Sequence, residues 1–128
     1  MNFLLDTHIL LWAAGQPEKL SRKTRSLLSD SRNSLLFSAV SLWEIVIKQT
    51  IGREDFDVDP RLLRRGLIDN GYNEIAITST HALAVKDLSP LHRDPFDRML
   101  LAQSRVEGLV LLTADAVVLR YPGLVQKA

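Results

Sequence analysis

The 128-residue chain has no cysteine. A disulfide framework, a thiolate zinc site and a cysteine nucleophile are therefore excluded. Histidine is scarce, with His8, His81 and His92 too far apart for a His-rich metal tract. No apolar run approaches the roughly 18 residues of a membrane-spanning helix. The first residues lack a basic stretch and carry Asp6, so no secretory leader is expected and a cytoplasmic protein is the default. Neither Gly-x-x-x-x-Gly-Lys nor Gly-x-Gly-x-x-Gly occurs, which leaves nucleotide and dinucleotide chemistry without a phosphate cradle. Gly-x-Ser-x-Gly is missing as well, and with it the usual nucleophile elbow. Neither sign of charge dominates, with 16 basic and 15 acidic residues and a net charge of +1.

What is present has an ordinary globular balance. Hydrophobic residues make up 46% and charged residues 24%, which excludes a disordered chain or a coiled coil. The length predicts one domain over residues 1–128 with one core. Short apolar stretches alternate with helical segments. Met1–Leu5, Ser34–Ser38, Glu74–Ile77 and Leu109–Leu112 are expected strands, with Leu124–Gln126 as a possible fifth. Helices are expected from Thr7 to Ala14, from Ser21, over Leu42–Thr50 opened by Ser41, from Pro60 to Asn70, from Thr78 to Leu88, and over Pro95–Glu107. Residues 53–59 form an expected charged loop. Buried strands each followed by a helix predict an α/β fold: a three-layer α/β/α sandwich with a four- or five-stranded parallel sheet. Such sheets bind ligands beyond the carboxyl ends of their strands.

Acids gather at that edge. Asp6 follows the first strand, and an acid beside a buried strand end must be hydrogen-bonded, paired or metal-bound. Glu44 ends Ser41-Leu-Trp-Glu44, which also fits a capping box. Asp94 reads as a helix cap and Asp97 as a first-turn carboxylate, both favoured by the helix dipole. Asp115 follows the fourth strand as Asp6 follows the first. Each residue alone has a structural explanation. Together, Asp6, Glu44, Asp97 and Asp115 form a like-charge cluster that needs a cation. Oxygen ligands without cysteine select Mg2+ or Mn2+ over zinc. Thr113 can add a hydroxyl.

Setting these four acids aside leaves 16 basic against 11 acidic residues. Lys48, Lys86, Arg93 and Arg98 fall near the same edge, and His92 precedes Asp94. Ordinary solvated side chains would explain them too. A metal pocket ringed by basic groups suits a phosphodiester, with Lys48, Arg93, Arg98 and His92 as candidate phosphate contacts. His81 is expected on a helix face, and His8 in a first helical turn. Trp12 and Trp43, with Leu11 and Ile47, are expected in the core or at a partner contact.

Four stretches carry a resemblance: Leu4–Trp12 (LLDTHILLW), Ser38–Ile45 (SAVSLWEI), His92–Gln103 (HRDPFDRMLLAQ) and Leu111–Asp115 (LLTAD). In this order and spacing the chain resembles the PIN-domain family, and within it the VapC-type toxins of bacterial type II toxin–antitoxin pairs. The resemblance implies a metal-dependent endoribonuclease. Its four acids match Asp6, Glu44, Asp97 and Asp115, with Asp94 as the alternative for the third. Its hydroxyl matches Thr113. It implies one or two Mg2+ or Mn2+ ions held by Asp6, Asp97 and Asp115, and a metal-activated water attacking an RNA phosphodiester. It further implies a homodimer neutralised by a small antitoxin whose helical tail lies along an apolar groove. PIN domains also serve in RNA processing, and a silent binding scaffold is a further reading. A receiver-like domain is disfavoured because the expected third strand ends in Ile77-Thr78, with no phosphoacceptor Asp. A phosphatase is disfavoured because residue 8 is His, so no Asp-x-Asp opens the chain.

Overall fold

The strands form where apolar side chains cluster, and their order is what builds the site. A computed structural model describes every residue from Met1 to Ala128. The strands are β1 (Asn2–Leu5), β2 (Ser34–Ser38), β3 (Asn73–Ile75), β4 (Val110–Thr113) and β5 (Val125–Lys127). They form one sheet in the order β3-β2-β1-β4-β5, and every pairing is parallel. The helices are α1 (Thr7–Gly15), α2 (Arg22–Ser29), α3 (Ala39–Thr50), α4 (Pro60–Asp69), α5 (Ser79–Ala84) and α6 (Pro95–Glu107). The expected α/β/α sandwich is present, with five strands.

Alternation along the central strands feeds two cores. Phe3 and Leu5 of β1 join Leu112 of β4, Ile9, Phe37, Leu63 and Leu67 on one face. Leu4 and Leu111 point the other way and pack with Val40, Leu100, Leu101 and Val118. Neighbouring side chains on a strand face opposite sides, so continuous apolar strands require cover on both.

The chain leaves β1 toward β2 and β3, then crosses back to lay β4 on the other side of β1. The switch point of the sheet therefore lies between β1 and β4, where loops diverge and leave a crevice. The Asp6 amide donates to Leu112 O at 3.0 Å, closing the strand pair at this edge.

Several local expectations change. Asp6, not Thr7, caps α1, with Oδ1 accepting the Ile9 amide at 2.9 Å. Helix α3 starts at Ala39 under a Ser38 cap, three residues before the expected start. Ser41 is thus inside the helix, and its Oγ accepts the Thr7 hydroxyl at 3.0 Å. The capping-box explanation of Glu44 falls with it. Strand β3 ends at Ile75 rather than Ile77, and α5 gives way after Ala84 to a short 3-10 turn. The charged segment 53–59 hides Phe56, which is fully buried in a 3-10 turn over Glu54–Phe56. The Gln49 amide fastens that turn by donating to the carbonyls of Phe56 and Val58.

His81 is buried rather than on an open helix face. Its Nδ1 accepts the Thr78 amide at 3.1 Å, and Nε2 lies 2.9 Å from Glu107 Oε1. An imidazole thus joins α5 to α6, and its tautomer is fixed by the amide it accepts. Trp43 and Ile47 are not core residues; they are 56% and 40% exposed.

Candidate active site

Four elements aim carboxylates into one cavity of about 360 Å3 at the switch point. Asp6 enters from the end of β1, Glu44 from α3, Asp94 and Asp97 from the start of α6, and Asp115 from the turn after β4. Three of these acids cap backbone and face the cavity at once. Asp6 spends Oδ1 on the Ile9 amide, while Oδ2 accepts the Thr113 hydroxyl at 2.5 Å. Asp94 Oδ1 accepts the amides of Phe96 and Asp97 at 2.8 and 3.0 Å, and Oδ2 lies 3.9 Å from Lys48 Nζ. Asp115 Oδ1 accepts Val117 and Val118 amides at 2.8 and 3.0 Å, and Oδ2 lies 3.6 Å from His92 Nε2. The capping and ligand readings of these residues therefore do not compete. Each carboxylate has two oxygens, and for Asp6 and Asp94 the dipole of the helix each one caps steadies the charge that the second oxygen presents.

Burial and like charge make the pocket costly without a cation. Asp97 is pushed up to about 7, first by desolvation and then by the charges of Asp94, Glu44 and Asp6. Asp6 is also raised, chiefly by burial, although the Thr113 hydroxyl and the Ile9 amide pull it back. Thr113 does further work: its Oγ1 accepts the Asp115 amide at 3.0 Å, so one hydroxyl orders two of the acids. Glu44 is 3% exposed, and its Oε1 is buried with no hydrogen-bond partner.

These features fit a hard divalent ion. Ligand atoms of His92, Asp97 and Asp115 lie within 4.8 Å of one another. The two acids suit Mg2+ or Mn2+. His92 suits it less well in its present tautomer. Its Nδ1 accepts the Asp94 amide at 3.3 Å, which leaves the hydrogen on Nε2. Nε2 is 2.8 Å from Asp97 Oδ2 but off the axis of a good hydrogen bond. It is a donor turned toward the acids rather than a free lone pair.

The candidate basic residues separate. Lys48 and His92 line the cavity. Arg98 does not: its guanidinium donates to the carbonyls of Val85, Ser89 and His92 and to the Tyr121 hydroxyl. Tyr121 Oη in turn accepts the His92 amide at 2.8 Å, so Arg98 and Tyr121 set the loop that carries His92. Arg93 and Lys86 are exposed and lie outside the cavity lining. The pairing of Glu44 with Lys48 was visible as an i, i+4 spacing. The placement of Trp12 in the cavity wall was not, because a residue in the second turn of α1 carries no sign of which way the neighbouring loop folds.

An all-parallel α/β sheet with five acids at its switch point defines an acidic-pocket α/β domain. The sequence matches the family described as PIN domain over residues 3–124, and the chain belongs to that family. No curated protein matches the chain closely in sequence. Among solved structures, it is similar to VapBC2 from Rickettsia felis bound to a DNA fragment from its promoter. That match has a TM-score of 0.72 and 15% identity, and covers 99% of this chain and 98% of that one. DNA-bound VapBC from Salmonella typhimurium gives 0.66 at 14% identity, with 99% and 98% covered. VapBC-1 from nontypeable Haemophilus influenzae gives 0.61 at 17%, with 94% and 91% covered. At such identities the likeness is one of fold.

Proposed function

We propose that the chain is a Mg2+- or Mn2+-dependent endoribonuclease and the toxin of a type II toxin–antitoxin pair, acting in the cytoplasm. The observation that carries this reading is the convergence of Asp97 and Asp115 beside Asp6 and Glu44 at the sheet's switch point. Membership of the PIN-domain family and the fold shared with VapBC complexes support it. No helix is long and apolar enough to cross a membrane.

Asp97 and Asp115, with Asp6, would hold the ion. When bound, it supplies Lewis acidity toward a phosphodiester and makes water a stronger acid. The chain's own groups do the positioning. Glu44, buried in the pocket wall, holds the Lys48 ammonium through Oε2 and adds negative charge beside the other acids. Thr113 holds the Asp6 carboxylate in one orientation. His92 Nε2, buried 2.8 Å from Asp97 Oδ2 and 3.6 Å from Asp115 Oδ2, positions those two carboxylates. Arg93, exposed on the neighbouring loop, can meet flanking phosphates by charge alone.

The direct test is cleavage of mixed single-stranded and structured RNAs by the purified chain. Cutting is expected with Mg2+ or Mn2+, and none in EDTA. Asp6→Asn should lose it. Cutting that persists in EDTA, or in Asp6→Asn, would sink the metal mechanism.

The antitoxin has a natural place. A groove of about 900 Å3 runs between α1, α4 and the 54–58 turn, lined by Leu11, Trp12, Leu62 and Leu63 among others. It shares His8 and Trp12 with the acid pocket. An apolar helix in this groove would end beside the acids, where a basic side chain could neutralise them.

The homodimer is assigned to α3. Trp43, Ile47 and Ile51 are exposed at i, i+4 and i+8, with Val46 beside them. Such a stripe is the kind of apolar patch that marks an interface. Light scattering should give a mass twice that of the 14.4 kDa chain, falling to one chain in Ile47→Glu. A monomeric wild type would remove this assignment.

A further inference from the structure

Lys48 differs from the other basic residues of the molecule. Its side chain is only 16% exposed, and Nζ lies 2.5 Å from Glu44 Oε2 and 3.9 Å from Asp94 Oδ2. The ammonium also sits over the Phe56 ring at 4.9 Å and the Phe96 ring at 5.8 Å. A surface lysine moves among many rotamers. This one is fixed by a carboxylate and two ring faces. Its partner Glu44 stands one turn earlier on the same helix, so the pair is rigid.

The acids accordingly fall into two groups. Glu44 and Asp94 face the ammonium. Asp97 and Asp115 face each other across His92, with no lysine or arginine paired to either. One side of the pocket already holds a positive charge and the other does not. Glu44 nonetheless keeps Oε1 buried and unpartnered, so the lysine satisfies only half of that carboxylate.

We propose that Lys48 is the pocket's second cation: the site takes one divalent ion, on the Asp97–Asp115 side, and the ammonium stands beside Glu44 and Asp94 where a second ion would otherwise go. The inference rests on the metal-nuclease reading and adds the ion count to it. Two-metal sites place their ions about 3.5–4 Å apart between shared carboxylates. A fixed ammonium on Glu44 removes an oxygen that a second ion needs and repels that ion at short range. It also leaves N–H groups free on Nζ, since Glu44 occupies one of three donors.

The experiment is a titration of Mn2+ into the full chain without RNA, with free ion followed by electron paramagnetic resonance. Wild type should bind one ion. Lys48→Met keeps the aliphatic stem between the two rings and removes the charge, and it should bind two. The second ion should bind at least about tenfold more tightly than any second ion on wild type. Lys48→Arg should stay at one. Two ions on wild type, or one on Lys48→Met that circular dichroism shows to be folded, overturns the inference and leaves the nuclease reading standing. If Lys48→Met does not fold, Lys48→Gln is titrated instead, and a single ion there overturns it equally. No ion on wild type overturns the nuclease reading and the inference together.

Discussion

Replacing Asp97 with Asn is expected to cut RNA cleavage by roughly a thousandfold or more, because it removes a charged oxygen where the divalent ion would sit. The same change should make the metal-free protein more stable at neutral and alkaline pH. Asp97 is raised from 3.8 to about 7 by burial and by the charges of Asp94, Glu44 and Asp6. The folded chain therefore binds a proton that the unfolded chain has released, and stability falls as pH rises across that window. A shift of this size amounts to up to about 4 kcal/mol, present in full below pH 3.8 and lost as pH passes about 7. Asn carries no such charge, so the variant should lack this slope. Thermal melts from pH 4 to pH 8 in EDTA measure it. Wild type should lose melting temperature toward pH 8, and Asp97→Asn should lose less. Saturating Mn2+ should restore wild type and leave the variant unmoved. Equal slopes in the two proteins would mean that Asp97 does not carry the pocket's repulsion.

The trade is between stability and function at one residue. Like charges gathered in a buried cleft raise each other's proton affinity, and an ion that relieves the crowding binds more tightly for it. The sheet topology makes the crowding unavoidable. Asp6 and Asp115 follow adjacent strands on either side of the switch point, and the start of α6 brings Asp94 and Asp97 to the same edge.

Much of this was legible in the sequence because the signals were local. Apolar strands followed by capped helices give the α/β order, and Asp94-Pro95 with Gly108 brackets α6 to the residue. Asp6 and Asp115 stood out because each follows a strand, and Asp94 and Asp97 because they open a helix, whereas Glu44 stood out through a Ser-x-x-Glu spacing that lies inside α3. Where the reading failed, two local signals competed. Ser38 and Ser41 can both cap a helix, and the backbone took the earlier one because it let Ser41 meet Thr7 across the α1–α3 contact. That is a tertiary contact with no trace in the local pattern. The fate of the basic residues was equally hidden. Arg98 and Lys48 are both cations near acids in sequence, yet one clamps a loop and the other enters the pocket. Only the fold of segment 85–93 and the burial of Phe56 separate them.

Thr113→Val is expected to damage stability and metal binding together, and the pattern of rescue shows why. The hydroxyl donates to Asp6 Oδ2 and accepts the Asp115 amide, and Thr113 is fully buried. Valine keeps the shape and leaves a buried carboxylate and a buried amide each short of a partner. That costs about 2 kcal/mol, or roughly 8 °C in melting temperature for a chain of this size. The loss should depend on pH. The Thr113 hydroxyl favours ionised Asp6, and without it burial raises Asp6 further. A higher folded-state value means stability kept in acid and lost as pH rises, so the deficit should be small near pH 4 and widen toward neutrality. Mn2+ affinity should fall about tenfold to a hundredfold, the usual effect of losing a group that orients a ligand. Thr113→Ser restores the hydroxyl and should recover both affinity and the pH profile, while giving up only a methyl group's packing. A purely steric role for Thr113 predicts the reverse order, with Val close to wild type and Ser the worse of the two.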